Sequence, residues 1–260
     1  MKIIFLGDIV GRPGRRIVQR VLPDIVNNHN IDLVVANAEN IAGGTGATPA
    51  LIEELRGYGI HLFTLGNHSW RKKEMVAGIN ALPDVARPAN YTSHAPGKGT
   101  AIFKTTGDIN VAVISLIGRI YMEPMDCPFA QVTRELQVLP EDVNIILVDM
   151  HAEATSEKAA MAWHLDGKVT AVLGTHTHVQ TADERLLHHA TAFITDVGMC
   201  GPYDAILGVD RELVITKLIT GMPAKWEVAA GKAHLCAVVI EADPATGKAL
   251  SIERIHIVES

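Results

Sequence analysis

One arrangement constrains this chain more than any other: short apolar, β-prone runs that each stop at residues able to bind a metal ion. Lys2–Leu6 leads into Gly7-Asp8, and Ile31–Ala36 into Asn37-Ala38-Glu39-Asn40. Ile60–Leu65 leads into Gly66-Asn67-His68, Asn144–Val148 into Asp149-Met150-His151, and Val169–Leu173 into Gly174-Thr175-His176-Thr177-His178. Helical spacing lies between them. Ile17, Val21 and Ile25 recur with Val18 and Leu22, and Pro49 opens a helix carrying Leu51, Ile52 and Leu55 that Gly57 and Gly59 close. Further helices are expected near Lys72–Leu82 and from about Ser156 to Leu165.

Strands alternating with helices imply parallel β-α-β units. Thr100–Thr105 and Asn110–Ile117, separated by Thr106-Gly107-Asp108, predict a hairpin, and Ala192–Thr195 runs into a glycine-rich loop. Leu213–Leu218, Leu235–Ile240 and Ile252–Val258 predict C-terminal strands that complete a mixed sheet. The expected fold class is α/β, a four-layer α/β/β/α sandwich with mixed sheets in the middle and helices outside. Without repeats or linkers, residues 1–260 are expected to form a single domain.

In open α/β sheets, ligands bind just beyond the carboxyl ends of the strands. The five clusters at those ends (Asp8, Glu39-Asn40, Asn67-His68, His151 and His176-x-His178) offer hard oxygens and imidazoles, together with a carboxylate able to bridge two cations. Two cations about 3.5–4 Å apart can clamp the attacking and leaving oxygens of a phosphoryl group. His176 and His178, two residues apart, would share a face if the segment is extended. Each cluster alone has an ordinary explanation as a cap or turn; five in succession at strand ends point to a metal centre.

Composition narrows the partners. The net charge of −6 disfavours an extended nucleic-acid surface, and no stretch nears the roughly 20 apolar residues of a membrane span. Met1–Leu6 reads as a first strand rather than a signal peptide. Three scattered cysteines with no C-x-x-C pair fit reduced thiols in a cytoplasmic protein.

The order of these motifs resembles the calcineurin-like metallophosphoesterase superfamily, with its Asp-x-His, Gly-Asp, Gly-Asn-His, a later His and Gly-His-x-His. The chain departs from that pattern at Val10, where the first motif has a histidine, and at Ala38-Glu39-Asn40. Both departures resemble the YmdB-like branch of bacterial metallophosphoesterases, as do Gly7-Asp8-Ile-Val-Gly11 and Thr195-Asp-Val-Gly-Met-Cys-Gly-Pro-Tyr203. The resemblance spans nearly the whole chain. It implies a metallophosphoesterase-like fold, with one metal on Asp8, Glu39, Asn40 and His178 and a second on Glu39, Asn67, His151 and His176. Glu39 would be the bridge. The asparagine oxygen hardens the first site, which fits iron or manganese at least as well as zinc.

The resemblance also implies a phosphodiesterase acting on cyclic nucleotides, 2′,3′-cyclic ones among them. A metal-bridging hydroxide would attack, and His68 would protonate the leaving alkoxide. Two alternatives stay open: a phosphomonoesterase or protein phosphatase on the same centre, and a regulatory, RNA-associated binding protein with structural metals. Self-association into a homo-oligomer is expected for a bacterial enzyme of this size. Asp196–Gly208 is a candidate for covering the site or joining subunits. The arginines of Gly11–Arg16 and the remaining histidines read as surface or core residues, and Trp163 and Trp226 as packing residues.

Overall fold

A strand that is apolar on both faces is stable only when both faces are covered, and the folded chain covers them. The computed structural model describes residues 1–259. The chain begins with β1 (Lys2–Leu6), β2 (Asp8–Ile9), α1 (Gly11–His29), β3 (Leu33–Asn37), α2 (Pro49–Arg56) and β4 (Leu62–Thr64). α3 (Lys73–Gly78) runs into a 3₁₀ turn, Ile79–Ala81, before β5 (Val85–Ala86), β6 (Thr100–Lys104) and β7 (Asn110–Ile117). Next come α4 (Pro128–Val138), β8 (Val143–His151), α5 (Thr155–Leu165), β9 (Ala171–Thr175), β10 (Arg185–Leu186) and β11 (Ala192–Ile194). β12 (Met199–Pro202), α6 (Arg211–Thr220), β13 (Ala233–Ala242) and β14 (Ala249–Val258) complete the order.

The strands form two mixed sheets. One has the order β2-β12-β13-β1-β3-β4-β5 with β14 paired on β13; the other has the order β10-β11-β9-β8-β7-β6. β1, β3, β4 and β5 run parallel in the first, and β7, β8, β9 and β11 in the second. Alternation along each strand separates the layers. Ile3 and Phe5 of β1 and Val35 of β3 meet Val113, Ile145 and Leu173 between the sheets. Ile4, Leu6 and Val34 turn the other way and pack beneath Ile17, Val18 and Leu22 of α1 and Ile52 of α2. On the far side, Ile114 and Val148 pack beneath Val132 of α4 and Met161 and Leu165 of α5. Each such fully buried aliphatic contributes roughly 1.5–3 kcal/mol. The result is the expected α/β/β/α sandwich.

The expected β6–β7 hairpin is antiparallel from Thr100↔Ile114 to Lys104↔Asn110. Leu213–Leu218, expected as a strand, lies instead within helix α6. Its β-branched residues suggest a strand, but the Asp210 side chain accepts from the Glu212 and Leu213 amides and Gly221 closes the far end in a left-handed conformation, a pair of caps that favours helix. Helix α4, opened by Pro128, and strand β12, within the glycine-rich loop, were not anticipated. No helix among the described residues is long and apolar enough to cross a membrane.

Candidate metal centre

The carboxyl ends of β1, β3 and β4 in one sheet and of β8 and β9 in the other meet at one edge of the sandwich. The first sheet delivers Asp8, Glu39, Asn40, Asn67 and His68; the second delivers His151, His176 and His178. Glu39 Oε1 lies 3.1 Å from Asn40 Nδ2 and 3.3 Å from His151 Nε2. Around Asn40 Nδ2 stand Asp8 Oδ1 at 3.5 Å and His178 Nε2 at 3.4 Å, and those two are 3.6 Å apart. On the other side, Asn67 Oδ1 is 2.9 Å from His151 Nε2, and donor atoms of Glu39, His151 and His176 all lie within 4.8 Å of one another. All seven expected ligands are therefore brought together in two groups, and Glu39 belongs to both.

The donor set fits cations. Asp8 and Glu39 are 0% and 1% exposed, and among the described residues only histidines stand within ion-pair distance of them. Buried carboxylates are costly without a compensating positive charge. Donor atoms about 3 Å apart suit ligands that share one ion at roughly 2.0–2.2 Å. Asn40 turns its Nδ2 toward Asp8, Glu39 and His178 and its Oδ1 toward His68 Nδ1 at 2.7 Å. Rotating the amide by half a turn exchanges the two atoms, so an ion beside Asp8 would favour the orientation that offers it oxygen.

Electrostatics follow from the crowding. Burial resists charge on His151, yet the Glu39 and Asp8 carboxylates beside it outweigh this and hold its imidazole up at about 9. His176 is pushed the opposite way, down to about 3, by burial and by the charge on His151. Burial raises the Glu39 carboxyl, but the adjacent His151 and His68 overcome it and hold the group well below the usual range.

The local backbone differs from expectation at the histidine pair. β9 ends at Thr175, and His176 and His178 adopt φ values of +89° and +65°, so the segment is not extended. The left-handed residues turn both rings toward the floor of the site, and such conformations persist only where the surroundings hold them. Here Thr177, between them, is held through its amide and hydroxyl by Asp196 Oδ2, which Lys158 Nζ also meets at 2.8 Å. A glycine is required at position 66, because a Cβ there would overlap Glu39 Oε2 and His151 Nε2.

Sequence reading missed a buried support beneath the metal ligands. Asp149 Oδ1 accepts from Thr175 Oγ1 at 2.6 Å, and Thr175 Oγ1 lies 2.9 Å from His151 Nδ1. Asp149 Oδ2 accepts from Thr64 Oγ1 and from Asn37 Nδ2, while Asn37 Oδ1 accepts from the Glu39 amide at 3.0 Å. One carboxylate thus ties both sheets and orients both His151 and the Glu39 turn; burial pushes its pKa up to about 6. The only sequence trace of it is the spacing Asp149-x-His151.

Above the donors opens a cavity of about 300 Å³ whose lining includes Glu39, Asn40, His68, His176 and His178, with Leu207, Val209 and Trp226 on its wall. Glu153, also unanticipated, stands at its edge with Oε2 3.3 Å from His176 Nε2. Trp163 and Trp226, expected as packing residues, are each 50% exposed. Within Asp196–Gly208, β12 pairs with β2 beside Asp8, and the Leu207 carbonyl meets His178 Nδ1 at 3.1 Å. The arginines of the α1 N-terminus lie outside this cavity, with Arg15 paired to Glu54. Of the other histidines, His234 and His256 meet at 2.9 Å across β13 and β14.

Comparison with known proteins agrees over nearly the full length. The model of the YmdB-like protein family matches residues 4–255. A 2′,3′-cyclic-nucleotide 2′-phosphodiesterase from Bacillus subtilis (strain 168) is 46% identical over 257 residues, covering 99% of this chain and 97% of that protein. The crystal structure of a hypothetical protein from Thermus thermophilus superposes with a TM-score of 0.94 at 40% identity, covering 100% of both chains. That of a phosphatase from Mycoplasma pneumoniae also gives 0.94, at 36% identity over 100% of this chain and 94% of the other. By its motifs, its sandwich and these relatives, the chain belongs to the YmdB-like family, hydrolases of the metallophosphoesterase superfamily.

Proposed function

We propose that this chain is a dinuclear-metal phosphodiesterase that opens 2′,3′-cyclic nucleotides at the P–O2′ bond. The observation that carries the reading is the position of Glu39: one buried carboxylate oxygen common to two donor groups, at the floor of a cavity that His68 also lines. The name of the Bacillus subtilis relative supports the substrate class. In this reading Asp8, Asn40 and His178 hold one ion, Asn67, His151 and His176 hold the other, and Glu39 bridges them. Four oxygen-donating side chains favour iron or manganese over zinc. When bound, the ions supply an acidified water and charge neutralisation at the phosphate.

The chain's own residues provide the remaining chemistry. His68 Nδ1 is engaged by Asn40 whichever way the amide is turned, so Nε2 is the nitrogen left for substrate. As the new oxygen–phosphorus bond forms and P–O2′ breaks, His68 gives the departing 2′-oxygen its proton. The proton released by the attacking water restores the ring, and the product is a nucleoside 3′-phosphate. The His68 amide, which donates to Glu39 Oε2 at 3.0 Å, ties the proton donor to the bridging carboxylate. The two sheets share one apolar interlayer, which supports a single domain. The three free cysteines suit a reducing, cytoplasmic setting.

Purified protein of measured metal content, offered 2′,3′-cyclic AMP, should release 3′-AMP. Turnover of p-nitrophenyl phosphate with none of either 2′,3′-cyclic AMP or bis(p-nitrophenyl) phosphate would replace this reading with a monoesterase. With two metals bound and no turnover of any of the three, the centre would be structural.

A further inference from the structure

The cavity wall holds a side chain that the reaction as derived does not use. Trp226 lies in the irregular segment between α6 and β13, yet its position is defined. The Asp210 amide donates to the Glu227 carbonyl at 2.9 Å, the Ala229 amide to the Gly208 carbonyl at 3.0 Å, and Val228 bridges to Val209. These bonds tie the segment to residues 208–210, and its Val228 and Trp226 side chains stand beside the loop that follows Glu39 and Asn40. At Gly44 in that loop, with φ +87°, a Cβ would stand 2.7 Å from Val228 Cγ2 and 3.4 Å from Trp226 Nε1. The absence of a side chain there admits Val228, and with it the indole edge comes to rest beside the loop. Trp226 nevertheless remains 50% exposed, and it lines the same cavity as Glu39 and His68.

A half-exposed indole on the wall of a cavity whose floor carries the candidate metal ligands is suited to a ligand with one phosphate end and one flat apolar end. Apart from the histidines, Trp226 is the one aromatic side chain lining that cavity among the described residues. Leu207 and Val209 extend its apolar surface. Bases stack on aromatic side chains without needing particular hydrogen bonds, because every base has a π face. We propose that Trp226 is the platform on which the nucleobase stacks, and therefore the residue that makes this site prefer nucleoside cyclic phosphates to cyclic phosphodiesters lacking a base. The proposal rests on the diesterase reading above.

The test compares 2′,3′-cyclic AMP with glycerol 1,2-cyclic phosphate, which has the same five-membered ring and no base. Wild type, Trp226→Ala and Trp226→Phe are assayed, and binding of 3′-AMP and glycerol 3-phosphate is measured by calorimetry. Trp226→Ala should lose about tenfold or more in kcat/KM for 2′,3′-cyclic AMP, mostly through KM, and keep its rate on the glycerol compound. Trp226→Phe should retain most of the preference. Affinity for 3′-AMP should fall in parallel in Trp226→Ala, with that for glycerol 3-phosphate unchanged. An equal loss on both substrates, or none on either, overturns the proposal. If wild type cleaves neither substrate, the diesterase reading has failed, and binding still decides: a wild-type protein that holds 3′-AMP no better than glycerol 3-phosphate has no base platform.

Discussion

Glu39 gathers the local consequences of the fold in one side chain. Its Oε1 faces Asn40, His68 and His151, and its Oε2 accepts from the His68 amide. A Glu39→Gln substitution keeps the shape and removes the charge that two cations would share. Bound metal, measured by plasma mass spectrometry, should fall below two ions per chain. Activity should fall by more than the roughly 10–100-fold typical when a supporting contact is lost. His68→Ala should act differently: metal content stays at the wild-type level while turnover of 2′,3′-cyclic AMP falls by about 10²–10⁴. Unchanged turnover in this variant would remove His68 from the proton-donor role.

Support for the ligands also rests on Thr175, whose hydroxyl joins His151 to Asp149 at the end of β9. Thr175→Val keeps the branched shape but leaves a buried carboxylate short of a donor, which costs about 1–3 kcal/mol. The variant should melt lower and bind metal about 10–100-fold more weakly. A weaker melt with unaltered metal affinity would show that Asp149 steadies the sheets without orienting His151.

Among the helices, α6 is the exception, because none of its residues is buried. The other helices are held by the sheet beneath them; this one depends on its caps. Removing the Asp210 side chain with Asp210→Ala should cost the helix about 1 kcal/mol. Because the helix is not part of the core, the loss should be local. Amide exchange over residues 211–220 should accelerate while the midpoint of global unfolding stays in place, and a drop in that midpoint would mean that α6 is coupled to the core. The same independence explains why Leu213–Leu218 reads as a strand in sequence: strand and helix patterns both fit a short apolar run, and only the Asp210 and Gly221 caps distinguish them.

For the molecule as a whole, acid sensitivity has a clear contributor just before β4. His61 is half-buried against Phe103 and its Nδ1 accepts from the Val34 amide, so burial lowers its pKa from the ordinary 6.5. The unfolded chain takes up a proton at this residue at a pH where the folded chain does not. Stability from this group is therefore complete above about pH 6.5 and is lost progressively as the pH falls below it. Urea unfolding at a series of pH values should show this slope, and His61→Asn should flatten it. An identical slope in the variant would assign the acid sensitivity to other groups.

The alternation of strands and helices, the layer order and the meeting of Asp8, Glu39, Asn40, Asn67, His151, His176 and His178 were legible in the chain itself. Burial on both faces writes continuous apolar runs, and parallel connections return every strand to the same edge. Asp149 and Trp226 were not legible, because their partners lie far away in sequence: Asn37 and Thr64 for Asp149, and Gly44 for Trp226. The left-handed turn at His176 and His178 was hidden for the same reason, since Asp196 helps to hold it from a separate segment. Local patterns of hydrophobicity and spacing determined which residues reach the site. Only the packing of one sheet on the other decided how they are oriented there, because those contacts exist only once distant segments share a buried, low-dielectric space.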